Sequence, residues 1–263
     1  MATSGAGMST PIAFLGPFGD AIDFILHERE SVSGGVQIGG PGEIFELTGN
    51  HLLVSAVAIA AAVVIFLPLG LFLGHRNQGE FLAVSVSNVG RAVPSLALLA
   101  FFLAYLGIGF VNVAAVLFLL AIPPILTNTF VGVRQVDRDA VDAAKGLGMN
   151  ASQIIRRVEL PLALPIIFAG LRLSTVAVLA TATIAPLANV LTLGVPITEP
   201  QTYGDDGQRA AAMVVAVVTL GADLVLRLIE RVITPKGLKL SEHDDLPRKR
   251  RLSTNLIRRN KPA

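Results

Sequence analysis

Cysteine and tryptophan are missing from this 263-residue chain, tyrosine occurs only twice, and charged residues make up 15% of it. Without cysteine there is no disulfide framework and no thiolate metal site. The four histidines, His27, His51, His75 and His243, are scattered with no ligand spacing, so neither a shared metal site nor a cofactor is expected. So few charges, set against 52% hydrophobic residues and a mean hydropathy of +0.66, fall outside what a soluble domain tolerates. The apolar residues also come in blocks. An all-α, polytopic membrane helix bundle is the expected fold class.

A helix rises 1.5 Å per residue, so about twenty apolar residues cross roughly 30 Å of hydrocarbon. Five windows qualify: residues 52–74, 81–106, 110–131, 160–187 and 210–229. The first has no charge. The second contains Asn88, Arg91 and Pro94, the third the pair Pro123-Pro124, and the fourth Pro161, Pro165 and Arg172. The fifth carries Asp223 and Arg227 near its end. Prolines at such depth suit bent helices whose freed carbonyls are satisfied by neighbours. Residues 12–26 are apolar too, but Gly16, Pro17, Gly19, Asp20 and Asp23 interrupt them, and no basic n-region precedes them. They read as an interfacial or docking helix, neither a secretory signal nor a sixth span.

Lysine and arginine set the orientation. Arg76 follows the first window; Arg134, Arg138, Lys145, Arg156 and Arg157 lie in the connector at 132–159; nine more follow Ile233. The turn at 107–109 has no basic residue, and 188–208 has none while carrying Glu199, Asp205 and Asp206. Five spans put every basic segment on one side, with the N-terminus outside and the C-terminus in the cytoplasm. The expected division is an extracytoplasmic or interfacial segment at 1–50, a membrane domain at 51–232 and a basic tail at 233–263. The tail, with Arg248-Lys249-Arg250-Arg251, suits a solvated segment beside anionic membrane lipid. It has no aromatic platform or fold for nucleic acid.

The connector at 132–159 is the most specific stretch. Asp137 can cap a first short helix, which stops near Gly146–Gly148. Asn150 can cap a second, with Gln153 completing a capping box. Gly148 permits a left-handed reversal, and Ala143 and Ala144 permit close approach of a partner surface. Gly146-Leu147-Gly148-Met149-Asn150-Ala151 fits a dinucleotide fingerprint, but no strand precedes it, so it is not a nucleotide site.

Asp142-Ala143-Ala144, then Gly148, then Val158-Glu159-Leu160-Pro161 resembles the EAA loop of ABC importer permeases: E-A-A, three residues, G, nine residues, I-x-L-P. Asp142 replaces the Glu and Val158 the Ile, with every spacing kept. The resemblance implies a five-span, MetI-like core whose loop is a cytoplasmic coupling helix docking on an ATPase subunit. Asp142, Ala143, Ala144, Gly146, Leu147, Gly148, Met149 and Pro161 would carry that coupling. It also implies a second permease chain and an extracytoplasmic substrate-binding protein. No G-x-x-x-x-G-K-[ST] occurs, so ATP hydrolysis belongs on another polypeptide and the chain is a transport subunit, not an enzyme.

Residues 90–99, Pro123 through Thr129, Val133 through Asp137, Glu159 through Pro165 and Thr181 through Ala185 resemble the osmoprotectant branch, which handles glycine betaine, choline, carnitine and related quaternary amines. Pro186 through Gly194 departs from the glycine-rich run of many relatives, so gating details there do not carry over. Asn88, Arg91, Pro94, Ser95, Asn128 and Arg172 are the pathway or gate candidates, Arg91 and Arg172 having structural pairing or snorkelling as their alternative. Asp223 and Arg227 look like a local i,i+4 pair. With so few aromatics, cation–π selection of a quaternary amine is expected in the binding protein. A permease for amino acids or another small solute is the alternative cargo, and an ion-coupled carrier or channel the alternative class. The latter would call for acidic or repeated motifs in the spans, where only Asp223 lies deep.

Overall fold

The first apolar window lies inside a much longer helix. In the computed structural model, which describes residues 16–234, α1 is Gly16–Leu26, α2 is Gly40–His75 and α3 is Glu80–Ala92. α4 is Ser95–Leu106 and α5 is Phe110–Arg134. The basic tail lies outside the described residues, as does the Arg91 side chain. At 36 residues, α2 is about 54 Å long, more than a bilayer core needs.

The window at 81–106 is not one helix. Pro94 has no N–H to give, and the residue before a proline is driven out of helical geometry. The chain therefore breaks between α3 and α4, with Pro94 extended at φ −69° and ψ 123°. α4, at 12 residues, is too short to cross alone, and among the described residues four helical runs are long and apolar enough to do so.

The window at 160–187 behaves in the opposite way. Residues 151–188 form one helical run, with α7 (Ala151–Ile154), a π turn (Ile155–Glu159), α8 (Leu160–Thr181) and a 3₁₀ end (Ala182–Ala188). Pro161 cannot donate and crowds the carbonyl four residues back. The helix widens just before it, and Leu160 N donates to Ile155 O. After a short α9 (Val195–Thr198), α10 (Pro200–Ile233) completes the bundle, kinked at Gly204 with φ 63°.

α5 is the central helix, touching α2, α3, α4 and α8. Small residues let these backbones close up. A Cβ at Gly70 would fall 2.8 Å from Thr129 Cβ, and one at Gly74 2.7 Å from Val133 Cβ, so this G-x-x-x-G seats α2 on α5. Gly170 does the same for α8, 2.4 Å from Asn128 Cβ, and Gly90 for α3 against Pro123. The core between them holds Val54, Ala58, Leu117, Ala121 and Val178. Buried His51 ties α2 to α8 through Nε2 and Leu179 O, 3.0 Å apart.

The N-terminal segment contains more than a helix. Strands β1 (Glu28–Glu30) and β2 (Gln37–Gly39) pair antiparallel across a turn with Gly34 and Gly35 at positive φ, a small exception to the all-α expectation. α1 docks by Ala21 and Phe24, which are buried with Ile38, Ile44 and Ala210. Arg29 donates to Asp206 (3.0 Å) and lies 5.0 Å from the Phe24 ring centroid. Tyr203 donates to Glu43; burial first, then that carboxylate, pushes its phenol well above the ordinary tyrosine range. Hairpin, α2 and the start of α10 are thereby locked at one end of the bundle.

Candidate functional site

At the opposite end of α2, α5 runs into α6 (Arg138–Gly146), the first helix of the connector. Asp137 Oδ1 accepts from Asp139 N at 2.9 Å, the expected cap. The C-terminus closes as a Schellman motif: Met149 N donates to Ala144 O (3.2 Å), Gly148 N to Lys145 O (2.9 Å), and Gly148 sits at φ +77°. Asn150 and Gln153 form the full capping box, at 3.0 and 2.9 Å. Both helix ends are thus satisfied locally, which holds the exposed segment in one shape.

The inner face of α6 is pinned. Val141 and Ala144 are buried with Val133, Val136, Ile154, Ala163 and Ile167. Ala143, Gly146 and Gly148 are exposed, and Leu147 is 79% exposed. The two alanines expected to share a docking face therefore part company: Ala144 faces its own protein and Ala143 faces outward, because adjacent helical residues point about 100° apart. Asp142 is exposed, and Lys145 Nζ donating to it at 2.8 Å holds its carboxyl below the ordinary aspartate value. Met149 and Pro161 are half-buried.

One partnership here is invisible to spacing arguments. Glu159 is 1% exposed, and its Oε2 lies 2.8 Å from Nδ1 of His75, the last residue of α2. The pair ties the loop-to-α8 junction to the end of α2. A glutamate in an apolar helix start was the available signal, since such a group needs a partner.

Two adjoining cavities, of about 440 and 390 Å³, lie between α3, α4 and α5. Both are bounded by Gly90, Val93, Ser95 and Pro123. The second reaches α8 at Leu173 and Ala177, and its polar side chains are Ser87, Ser95, Thr127 and Asn128. Ser95 and Asn128 are thus brought together, while Ser87 and Thr127 join them unforeseen. Asn88 and Pro94 are exposed at and beside the break between α3 and α4. Arg172 lines neither cavity; its guanidinium lies 3.3 Å from Glu230 and 3.9 Å from Asp223, both on α10.

Residues 66–236 match the family described as binding-protein-dependent transport system inner membrane component. The chain belongs to that family. The permease is 36% identical over 204 residues to the glycine betaine/carnitine/choline transport system permease protein OpuCB of Bacillus subtilis, covering 75% of this chain and 92% of that one. It is 35% identical to the choline transport system permease protein OpuBB of the same organism, with the same coverage. Among solved structures, the inward-facing MetNI methionine ABC transporter superposes with a TM-score of 0.65 at 18% identity, covering 74% of the permease and 98% of that chain. An amino acid ABC transporter crystallised with histidines gives 0.57 at 20%, covering 73% and 94%. At such identity these two establish the shared MetI-like bundle. The permease is a multi-pass membrane transport subunit.

Proposed function

We propose that this permease moves quaternary-amine osmoprotectants of the glycine betaine, choline and carnitine class inward, as the membrane half of an importer driven by a separate ATPase. The observation that carries the coupling is the doubly capped α6, whose buried side is fixed by Val141 and Ala144 while Ala143 and Leu147 stand exposed. Such a projection is a rigid knob for an ATPase groove. The helical run from 151 to 188 then carries its displacement into the bundle. The class of cargo is supported by the similarity to the OpuCB and OpuBB permeases. A binding protein selects and delivers the amine, and a second permease chain supplies the other wall of the passage. Among the described residues, none lining the cavity with Ser87, Ser95, Thr127 and Asn128 is aromatic, so this wall holds the cation weakly and lets it go.

The membrane arrangement has five crossings, with α3 and α4 together making the broken one. The N-terminus is outside and the C-terminus inside. Because the chain has no cysteine, single cysteines replacing exposed Arg138 and Asp205 report sidedness cleanly. Arg138→Cys should label with an impermeant maleimide only from the cytoplasmic side and Asp205→Cys only from outside; labelling of both from outside rejects this arrangement. Cargo is tested by reconstituting permease, ATPase and binding protein in liposomes. ATP-dependent uptake of labelled choline or glycine betaine is expected, and uptake of amino acids alone would reassign the substrate.

A further inference from the structure

The two halves of α10 are held by different forces. Gly207, Ala210 and Ala211 are buried near its N-terminal end, Gly207 and Ala210 against Phe24, and no residue of α10 after Ala211 is buried. Leu220, Leu224, Val225, Leu228 and Val232 are all half or more exposed. The C-terminal half lies along α8 with its side chains partly buried or exposed, and polar links join the two helices. Arg172 Nε lies 3.9 Å from Asp223 Oδ1 and its Nη1 3.3 Å from Glu230 Oε2, while Arg227 Nε lies 2.6 Å from Asp223 Oδ2. Asp223 and Glu230 are seven residues apart, hence on one face of α10 and about 10 Å apart along it. Arg172 reaches both from α8. The side chains of Arg172, Asp223 and Glu230 are 24%, 22% and 21% exposed, and with Arg227 the four charges sum to zero.

We propose that Arg172 is a positioning residue, a clamp that makes the C-terminal half of α10 follow α8. It rests on the reading that the ATPase drives the connector at 132–159. The clamp follows from where it sits. α8 continues the connector's helix without a loop, so a displacement there reaches Arg172 through one rod. The inner half of α10 has no buried side chain to make it follow. Opening a charge network inside a bilayer is costly, so the network stays closed while the helices move together. Arg172 therefore acts through α10 and not on the cargo.

The test uses the assembled importer in nanodiscs, with spin labels on cysteines replacing exposed Val176 on α8 and Leu228 on α10. Single-cysteine complexes identify distances between copies. The intrachain distance should be the same in nucleotide-free and nucleotide-trapped complexes. Arg172→Gln should broaden the distribution or make it change with nucleotide. It should lower uptake about tenfold, within the range of site-to-site coupling, while ATP hydrolysis continues. Exchanging all four charges, Arg172→Glu, Asp223→Arg, Arg227→Glu and Glu230→Arg, keeps every one of these contacts between opposite signs and should restore the fixed distance. Where Arg172→Gln fails to accumulate, restored accumulation and distance in the exchange variant support the clamp. An unaltered distribution in Arg172→Gln overturns it whatever uptake does, and so does an exchange variant that restores neither. A wild-type complex with no bound ATPase would instead overturn the reading of the connector.

Discussion

Tryptophan at position 143, or valine at position 148, should abolish uptake and leave the permease inserted in the membrane at normal abundance. Ala143 is exposed on the outer face of α6, so an indole there has room within the chain and obstructs only a partner. Position 148 acts through the backbone. Nothing lies within 4 Å of a Cβ built on Gly148, but its φ of +77° is costly for a β-branched residue, by roughly 1 to 2 kcal/mol. Leaving that conformation breaks the Met149-to-Ala144 hydrogen bond and unwinds the turn that sets the knob's direction. Both variants should lose the co-purifying ATPase, or keep it with hydrolysis that no longer moves substrate. Ala216→Val, on an exposed face of α10, is a suitable control. The neighbouring Ala144→Trp should fail differently, by low accumulation, because Ala144 is 4% exposed inside the loop's own core. Wild-type uptake from both Ala143→Trp and Gly148→Val would reduce the segment to a connector.

Valine at position 194 should destabilise the fold. A Cβ on Gly194 would lie 1.9 Å from the carbonyl oxygen of Thr183, a backbone atom that cannot rotate away. The φ of −74° suits any residue, so space alone excludes a side chain. The surrounding segment, residues 192–196, is buried. Thr192 Oγ1 donates to Ala182 O at 3.0 Å and accepts from Gly194 N at 3.2 Å. Relieving the clash means lifting this segment off the 3₁₀ end of α8, at least the ~1–3 kcal/mol of ordinary overpacking. Accumulation and melting temperature of the solubilised complex should both fall. Gly49→Ala is the contrast: nothing lies within 4 Å of its Cβ, and helix propensity should stabilise α2 by about 0.5–1 kcal/mol. A Gly194→Val complex that melts with the wild type would refute the close approach.

The helical membrane class was legible because hydropathy over twenty residues is a property of the chain alone. The connector was legible because its signals are local. Asp137 needs only Asp139, Asn150 only Gln153, and Gly148 only its own φ. Asp223 and Arg227 are paired one turn apart as expected, for the same reason. Ser95 and Asn128 were expected as pathway or gate candidates; the structure shows that they line one cavity.

Partners remote in sequence could not be assigned in this way. Pro94 was visible inside the second window, but the seating of α3 against Pro123 through Gly90 was not. Gly70 and Gly74 could be seen as a spaced pair, yet only the apposed Thr129 and Val133 give that pair a purpose. Spacing did not separate Ala143 from Ala144, because which side of a short helix is inner depends on the core beneath it. Glu159 and His75 are 84 residues apart, and Arg172 meets its carboxylates on another helix. Composition and local spacing by themselves determined that the chain crosses a membrane and carries a capped, reversing connector, since those are energies of a segment with solvent or with its own next turn. The tertiary structure decided which small residues are contacts, how the halves of the second apolar window pack and what each buried charge pairs with, because those energies exist only once remote helices have been brought together.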